Sequence, residues 1–187
     1  MLPLLLMLAL LVVACAVRFH RLGEQSLWYD EGVAYNHALR TLPELIPLLQ
    51  RNVHVPAYFT LLGLWEDIAG ASEFALRSLS VFFSILSVAL TYALGARLFH
   101  PVAGLAASAF VALNSFSIYY AAEARMYAML TAIAAGSMLL FVVFLGDLCR
   151  PAPSRSRGRY ILALGLINAL GLYTHVVYGL ILLTQSV

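Results

Sequence analysis

Asp30 and Glu31 are adjacent carboxylates in the stretch Trp28-Tyr29-Asp30-Glu31, which follows the apolar N-terminal segment. One carboxylate of such a pair can act as a general base while the other holds an arginine or a metal bound to a diphosphate. The pair also fits the first turn of a short helix, where two solvated acids complement the helix dipole. These residue types therefore allow acid–base chemistry without requiring it.

Two further polar sites follow along the chain. His54 precedes Pro56 at the start of a short apolar segment, near the predicted membrane–water boundary. There it donates a hydrogen bond to a phosphate, partners the two acids, or is an ordinary interfacial residue. Arg77 stands at the mouth of the next apolar segment. Its planar guanidinium suits Glu31 or a substrate phosphate, and equally suits simple snorkelling to the interface.

The second half of the chain contains two more such sites. Glu123 and Arg125 lie between two apolar segments with tyrosines around them, among them Tyr127. This arrangement is typical of an aromatic belt with a salt bridge, and also of a binding site. His175 interrupts the last apolar segment, and polar groups at that depth usually face a cavity or the interior of a helix bundle.

The composition indicates what positions these residues. The chain has 187 residues, of which 63% are hydrophobic and 11% are charged, which is far more apolar than a soluble domain. Runs long enough to cross a bilayer recur along it. The sequence predicts an all-α, multi-pass membrane bundle with apolar segments at about 2–19, 55–70, 77–99, 102–120, 126–148 and 160–187.

The distribution of arginines predicts the topology. The loop from Arg150 to Arg159 has four arginines and no acid, so it should be cytoplasmic. The short segment 55–70 contains Glu66 and Asp67 and is more typical of an interfacial helix than of a membrane span. With that segment left outside, residues 20–76 form one external loop. The loop is predicted to carry short helices at about 30–40, 43–51 and 56–69.

This topology has about five membrane helices, at 2–19, 77–99, 102–120, 126–148 and 160 to about 180. It places eight of the nine acids, all but Asp147, on one external face with the polar sites above. Cys15 and Cys149 are far apart in it and lack metal-ligand spacing, so neither a disulfide nor a metal site is indicated. No basic face interleaved with aromatic residues indicates nucleic-acid binding. A cleaved signal peptide is less favoured than an uncleaved first helix, because no positive residue precedes the apolar run.

Together these stretches resemble the membrane-embedded GT-C glycosyltransferases. The similarity is to the dolichyl-phosphate-mannose protein mannosyltransferase family and its bacterial relatives, including aminoarabinose transferases. It covers nearly the whole chain and is carried by Leu27–Glu31, His54–Phe59, Ser72–Arg77, Glu123–Tyr127 and Leu172–His175. Val55 stands where the family pattern usually has a proline. The chain also ends in an apolar stretch at Val187, which predicts that residues 1–187 are the N-terminal part of a longer enzyme.

The resemblance implies an inverting transfer of a sugar from a polyprenyl-phosphate donor to a hydroxyl of a protein, lipid or glycan acceptor. The reaction would take place on the extracytoplasmic face of the plasma membrane. It implies Asp30 as the catalytic base, with Glu31 as its support. The residues implied to bind substrate are His54, Arg77, Glu123, Arg125, Tyr127 and His175. Arg77 would also pair with the acidic motif. No cofactor is required by this chemistry, and a divalent cation is left open.

Two other interpretations remain open from the sequence. A transporter module would line a path through the helices with charged groups, whereas here the acids crowd one face. The other interpretation is a non-catalytic membrane scaffold or a decayed truncation product, and its best support is the abrupt end at Val187.

Overall fold

The computed structural model describes residues 2–51, 54–149 and 157–186, and within them it has ten α-helices, one 3₁₀ turn and no strand. The predicted all-α fold is confirmed. The helices predicted at about 30–40, 43–51 and 56–69 are α2, α3 and α4. The helices, in chain order, are α1 Leu2–Phe19, α2 Tyr29–Ala38, α3 Leu42–Leu49, α4 Ala57–Ala69, α5 Glu73–Leu98, α6 Pro101–Leu113, α7 Ser115–Ala121, α8 Tyr127–Leu148, α9 Arg157–Thr174 and α10 Gly179–Ser186, with the 3₁₀ turn at Val176–Tyr178.

Three of the described helices, α1, α5 and α8, are long and apolar enough to cross a membrane. The pair α6 and α7 is a fourth candidate, bent by 59° at the break between them. The continuous helix predicted over 102–120 is therefore corrected to a bent pair. Asn114 ends α6, and its side-chain oxygen accepts hydrogen bonds from Phe116 N at 2.9 Å and Ser117 N at 3.2 Å, which begins α7.

The last predicted membrane helix, over 160 to about 180, is also interrupted. α9 ends at Thr174, and His175 caps the following 3₁₀ turn by accepting a hydrogen bond from Val177 N at 3.1 Å. The Tyr178 ring then packs directly on Gly171, where any Cβ would collide with it. The described part of the chain thus provides three to four candidate spans, where the sequence predicted about five.

The described residues include only part of the arginine-rich loop. Arg150 and Arg155 lie outside the described residues, whereas Arg157 begins α9 and pairs with Asp147 at 3.3 Å. Asp147 is about 30 Å along α8 from Tyr127, given the rise of an α-helix. It therefore lies at the end of the bundle opposite to the candidate site.

α5 is the central helix and contacts α1, α4, α6, α7 and α8. Leu76 near its start packs with Tyr58 of α4 and Met129 of α8 in the main hydrophobic core. Ala34 of α2 belongs to the same core. The short helices are thereby held against the ends of α5 and α8 from which the polar candidates project.

α5 and α6 approach each other closely at two glycines. A Cβ on Gly104 would lie 2.7 Å from Ala96 N, and one on Gly95 would lie 2.8 Å from the Gly104 Cα. Real side chains do not tolerate such distances, so the helices pack backbone against backbone here. Small residues commonly serve this purpose between membrane helices.

Replacing Gly104 by Ala should therefore push α5 and α6 apart. We expect the free energy of unfolding in detergent to fall by about 1–3 kcal/mol, the usual cost of overpacking. Gly165→Ala in α9 is the matched control, because nothing lies within 4 Å of a Cβ there and alanine favours a helix. Equal destabilisation by the two substitutions would contradict the close packing.

Candidate active site

Glu31 and Arg77 form a buried ion pair that joins α2 to the start of α5. Glu31 is fully buried and Arg77 is 5% exposed. Arg77 Nε donates to Glu31 Oε1 at 2.9 Å, and Nη2 donates to Oε2 at 2.7 Å. This is the bidentate geometry in which arginine binds carboxylates most strongly. Arg77 thus pairs with one of its two predicted partners and does not snorkel to a surface.

The remaining N–H groups of Arg77 hold the loop that precedes α2. Nη1 donates to the carbonyls of Leu22 at 3.0 Å and Gln25 at 2.7 Å, and Nη2 donates to that of Ser26 at 3.2 Å. Together with the two bonds to Glu31, all five guanidinium N–H groups have acceptors. Arg77 therefore has no donor left for a ligand.

Glu31 also holds a second loop. Its Oε1 accepts a hydrogen bond from Ala124 N at 2.8 Å, and its Oε2 accepts one from Trp28 N at 3.3 Å. Ala124 lies between Glu123 and Arg125 in the loop that joins α7 to α8. One carboxylate therefore connects three parts of the chain: the start of α2, the start of α5 and the α7–α8 loop.

Asp30 has a different environment from its neighbour. Its side chain is 41% exposed, and Oδ2 lies 4.0 Å from Arg125 Nη2. The Asp30 backbone carbonyl accepts a hydrogen bond from Arg125 Nη1 at 3.1 Å. Of the two adjacent acids, Glu31 is buried and fully engaged, whereas Asp30 is accessible and loosely paired. Only Asp30 is placed to meet a molecule from solution.

Arg125 is buried beside Asp30, in the loop just before α8. Its Cζ lies 5.7 Å from the centroid of the Tyr127 ring, a cation–π distance. Its backbone carbonyl accepts a hydrogen bond from Ser80 Oγ at 3.2 Å. Among the described residues, its Nε has no hydrogen-bond partner. A buried donor without a partner is costly, so an anionic ligand would satisfy it.

His54 and His175 lie on the same side of the bundle as Arg125. The His175 ring is 6.3 Å from that of Tyr127, measured between centroids. The pKa of His54 is lowered by burial first, and then by the positive charges of Arg125 and His175, while Asp30 raises it. His54 is therefore within electrostatic range of all three groups.

His37 also belongs to this cluster, although it was not among the residues predicted from the sequence. It is 6% exposed and packs edge-on against Phe59, with 4.9 Å between ring centroids. In the part of the chain that is described, its Nδ1 has no partner. Burial lowers its pKa most, followed by the charge of His54. A signal was available, because His37 follows Asp30 by seven residues, two turns along one helix face.

Glu123 is buried but does not pair with Arg125. Among the described residues no ion pair joins the two side chains, since Arg125 turns toward Asp30 and Tyr127. Burial raises the pKa of Glu123, the hydrogen bond from Tyr119 lowers it, and the charge of Glu31 raises it further. Glu123 lines a polar cavity of about 350 Å³ that Glu31 also borders. The salt bridge considered from the sequence is thus absent.

A larger cavity, of about 690 Å³, lies between α5, α6, α7 and α8. Its lining is mostly apolar and includes Phe110, Phe116 and Leu130. Tyr120 and Tyr127 line it as well, with their rings edge-on and 4.8 Å between centroids. Because Tyr127 also contacts Arg125, the cavity adjoins the polar cluster. Its volume is typical of a small-molecule site.

The polar cluster lacks the grouping that metal ions require. In residues 2–51, 54–149 and 157–186, no three His, Cys, Asp or Glu side chains are gathered so as to hold a metal ion. Arg125 is the cation that the described site offers to an anionic ligand.

More than half of the chain matches a known protein family. Residues 53–185 match the family described as dolichyl-phosphate-mannose-protein mannosyltransferase. The chain belongs to that family. Membership of the mannosyltransferase family makes it a membrane glycosyltransferase of the GT-C type, as the motifs predicted. Comparisons with curated proteins and with solved structures gave no significant match.

The range matched to the mannosyltransferase family begins after Asp30 and Glu31. The ion pair of Glu31 with Arg77 and its bond to Ala124 N join the unmatched segment to the matched one. Contacts and charges thus bring together at one end of the bundle all the predicted site residues: Asp30, Glu31, His54, Arg77, Glu123, Arg125, Tyr127 and His175.

Arg77→Ala should destabilise the chain strongly, because it leaves Glu31 as a buried charge without a partner and releases the loop before α2. We expect the free energy of unfolding in detergent to fall by about 3–5 kcal/mol. Arg21→Ala is the control, since the side chains of its ion pair with Glu24 are 66% and 52% exposed. That change should stay below about 1 kcal/mol. Similar losses in both variants would show that the buried ion pair contributes no more to stability than the exposed one.

Glu123→Gln should change how stability depends on pH. Because the folded-state pKa of Glu123 is raised, the folded chain binds more protons than the unfolded chain between the ordinary and the raised value. The free energy of unfolding therefore falls as pH rises through that window, and it stays lowered above it. Glutamine removes this contribution, so the variant should be the more stable protein at neutral pH.

Glu44→Gln provides a control of opposite sign. Hydrogen bonds from Thr41 lower the pKa of Glu44, so its contribution is present above the ordinary carboxyl pKa and is lost as pH falls. Unfolding midpoints of the wild type and both variants, measured from about pH 2 to 8, separate the two cases. A wild type and a Glu123→Gln variant with parallel profiles would rule out the raised pKa.

Proposed function

We propose that this chain moves a sugar from a polyprenyl-phosphate donor to an acceptor hydroxyl at the membrane surface, with inversion at the anomeric carbon. The observation that carries the proposal is the accessible Asp30 carboxylate beside Arg125, which Tyr127 links to an apolar cavity. The reaction needs a base, a cation for a phosphate and a place for a lipid. These three parts adjoin one another here.

The cavity between α5, α6, α7 and α8 is the proposed site of the donor lipid. Its apolar walls suit an isoprenoid chain, which can enter from the bilayer between the candidate spans. Arg125 is the proposed partner of the donor phosphate, because its buried Nε lacks a partner among the described residues. Arg77 is the other arginine considered for this role, but all its N–H groups already donate hydrogen bonds within the protein.

Asp30 is the proposed base. Its carboxylate takes the proton of the acceptor hydroxyl while that oxygen attacks the anomeric carbon, and the bond from this carbon to the phosphate oxygen breaks. The phosphate leaves with the bonding electrons. It is a stable anion, so the leaving oxygen needs no acid, and Arg125 offsets its developing charge. A single displacement of this kind inverts the anomeric centre.

Glu31 is proposed to position Asp30 and not to touch substrate, since it is buried and accepts four hydrogen bonds. His54, Tyr127 and His175 are proposed to bind the sugar phosphate around Arg125. The lowered pKa of His54 keeps it uncharged at neutral pH, so it acts as a hydrogen-bonding group and not as a second cation.

We propose that the site faces the extracytoplasmic side of the plasma membrane. Arg157 and Arg159 at the opposite end of the bundle support this, because basic residues collect on the cytoplasmic side. The acceptor, a hydroxyl of a protein, lipid or glycan, would then approach Asp30 from the aqueous phase. These steps use no cofactor.

Asp30→Asn in the full-length protein should lower the rate of sugar transfer by about 100-fold or more, because an amide cannot take the acceptor proton. The assay follows labelled sugar from a polyprenyl-phosphate donor into the acceptor, with the amount of protein in the membrane measured in parallel. Asp67→Asn, an exposed acid on α4, is the matched control and should keep full activity. Near-normal transfer by Asp30→Asn would disprove the assignment of the base.

A further inference from the structure

Arg18 is a buried cation in α1 to which the proposed reaction assigns no role. It is 2% exposed, and its hydrogen bonds within the described residues all go to uncharged groups. A charged side chain buried inside a membrane protein is costly and commonly marks a functional site. Its acceptors are Ser84 Oγ at 2.8 Å, Ser117 Oγ at 3.1 Å and the carbonyls of Ala112 at 2.8 Å, Val111 at 3.1 Å and Ala14 at 3.4 Å.

Part of this arrangement explains the bend between α6 and α7. Val111 and Ala112 lie in the last turn of α6, where the carbonyls lose their helical partners. The guanidinium of Arg18 supplies donors to both, and a cation is favourable at a helix C-terminus. The break inside the bundle therefore leaves neither of these two carbonyls without a donor.

The two serines have a further property. Ser84 and Ser117 each accept a hydrogen bond from Arg18, so their own protons must point elsewhere. Neither hydroxyl has an acceptor among the described residues, and both serines line the large cavity. Ser84 is only 3% exposed. The cavity wall thus presents two hydroxyl donors, polarised by a positive charge directly behind them.

The serine pair lies near Arg125. Ser80 Oγ donates to the Arg125 carbonyl, and Ser84 follows one turn later on α5, about 6 Å along the helix. Tyr127, which Arg125 contacts, lines the same cavity as both serines. Tyr127 therefore connects Arg125 to the cavity that the serine pair lines.

We propose that Arg18 is a positioning residue for an anionic lipid headgroup. It holds Ser84 and Ser117 so that both hydroxyls donate to a phosphate ester in the cavity, and the ligand's charge compensates its own. A neutral lipid of the same length gains neither interaction. The ligand class is a phosphate ester on an apolar chain, and its identification as polyprenyl phosphate rests on the proposed function.

The serines provide the test, because replacing Arg18 itself would release α6 and is expected to unfold the bundle. The probes are a polyprenyl phosphate and the matching polyprenol, whose affinities are measured with the full chain in a neutral maltoside detergent. The variant is Ser84→Ala with Ser117→Ala. Ser87→Ala is the matched control. Ser87 lines the same cavity, but its hydroxyl already donates a hydrogen bond to the Ser84 carbonyl at 2.7 Å.

We expect the wild type and Ser87→Ala to prefer the phosphate over the alcohol. The double variant should lose about tenfold or more of that preference while binding polyprenol unchanged, because two charge-assisted hydrogen bonds are removed. The inference is overturned if the double variant keeps the preference. It is equally overturned if affinity for both probes falls together, as a purely structural role predicts, or if the wild type shows no preference.

A third probe, a phosphatidic acid, separates this inference from the proposed function. If it binds as tightly as polyprenyl phosphate and shows the same dependence on the serines, the phosphate site is supported while the polyprenyl-phosphate donor is not. If the wild type prefers polyprenyl phosphate and the serines carry that preference, both are supported.

Discussion

The buried ion pair between Glu31 and Arg77 is the interaction on which the site depends. Burying two charges costs solvation free energy, which is offset only when their hydrogen-bonding capacity is used. Here Glu31 accepts four hydrogen bonds, and Arg77 donates all five of its own. These bonds fix the loop before α2, the start of α5 and the α7–α8 loop. Because neighbouring residues of a helix point about 100° apart, burial of Glu31 leaves Asp30 at the surface.

Interrupted helices give the bundle its second constraint. Irregular backbone inside a membrane protein persists only where other groups satisfy the freed N–H and C=O groups. At the bend between α6 and α7, the Asn114 side chain accepts hydrogen bonds from two freed amides, and Arg18 donates to two freed carbonyls. The bend borders the large cavity, so the polar groups that stabilise it also face the space proposed for the donor. The residues that stabilise the bend are therefore also close to the proposed donor site.

The sequence predicted the all-helical fold, the short helices α2 to α4 and the set of residues at one end of the bundle. It missed features that depend on distant partners. Arg18 is one charge in an apolar run, and its acceptors on α5, α6 and α7 are 66 to 99 residues away. The fold-back of Tyr178 onto Gly171 is likewise a tertiary contact, which hydrophobic periodicity does not register. Proximity along the chain favoured a Glu123–Arg125 salt bridge, but Arg125 instead reaches Asp30.

Central to the proposed function is one lipid-linked donor with its phosphate at Arg125 and its chain in the cavity between α5, α6, α7 and α8. Photolabelling tests this most directly, with a polyprenyl phosphate that carries a diazirine on its first isoprene unit. After irradiation of the full chain in detergent, mass spectrometry of its peptides locates the label. We expect labelling within 110–131, the segment that contributes most of the cavity wall. Labelling confined to the surfaces of α1 or α9, with none in this segment, would contradict it.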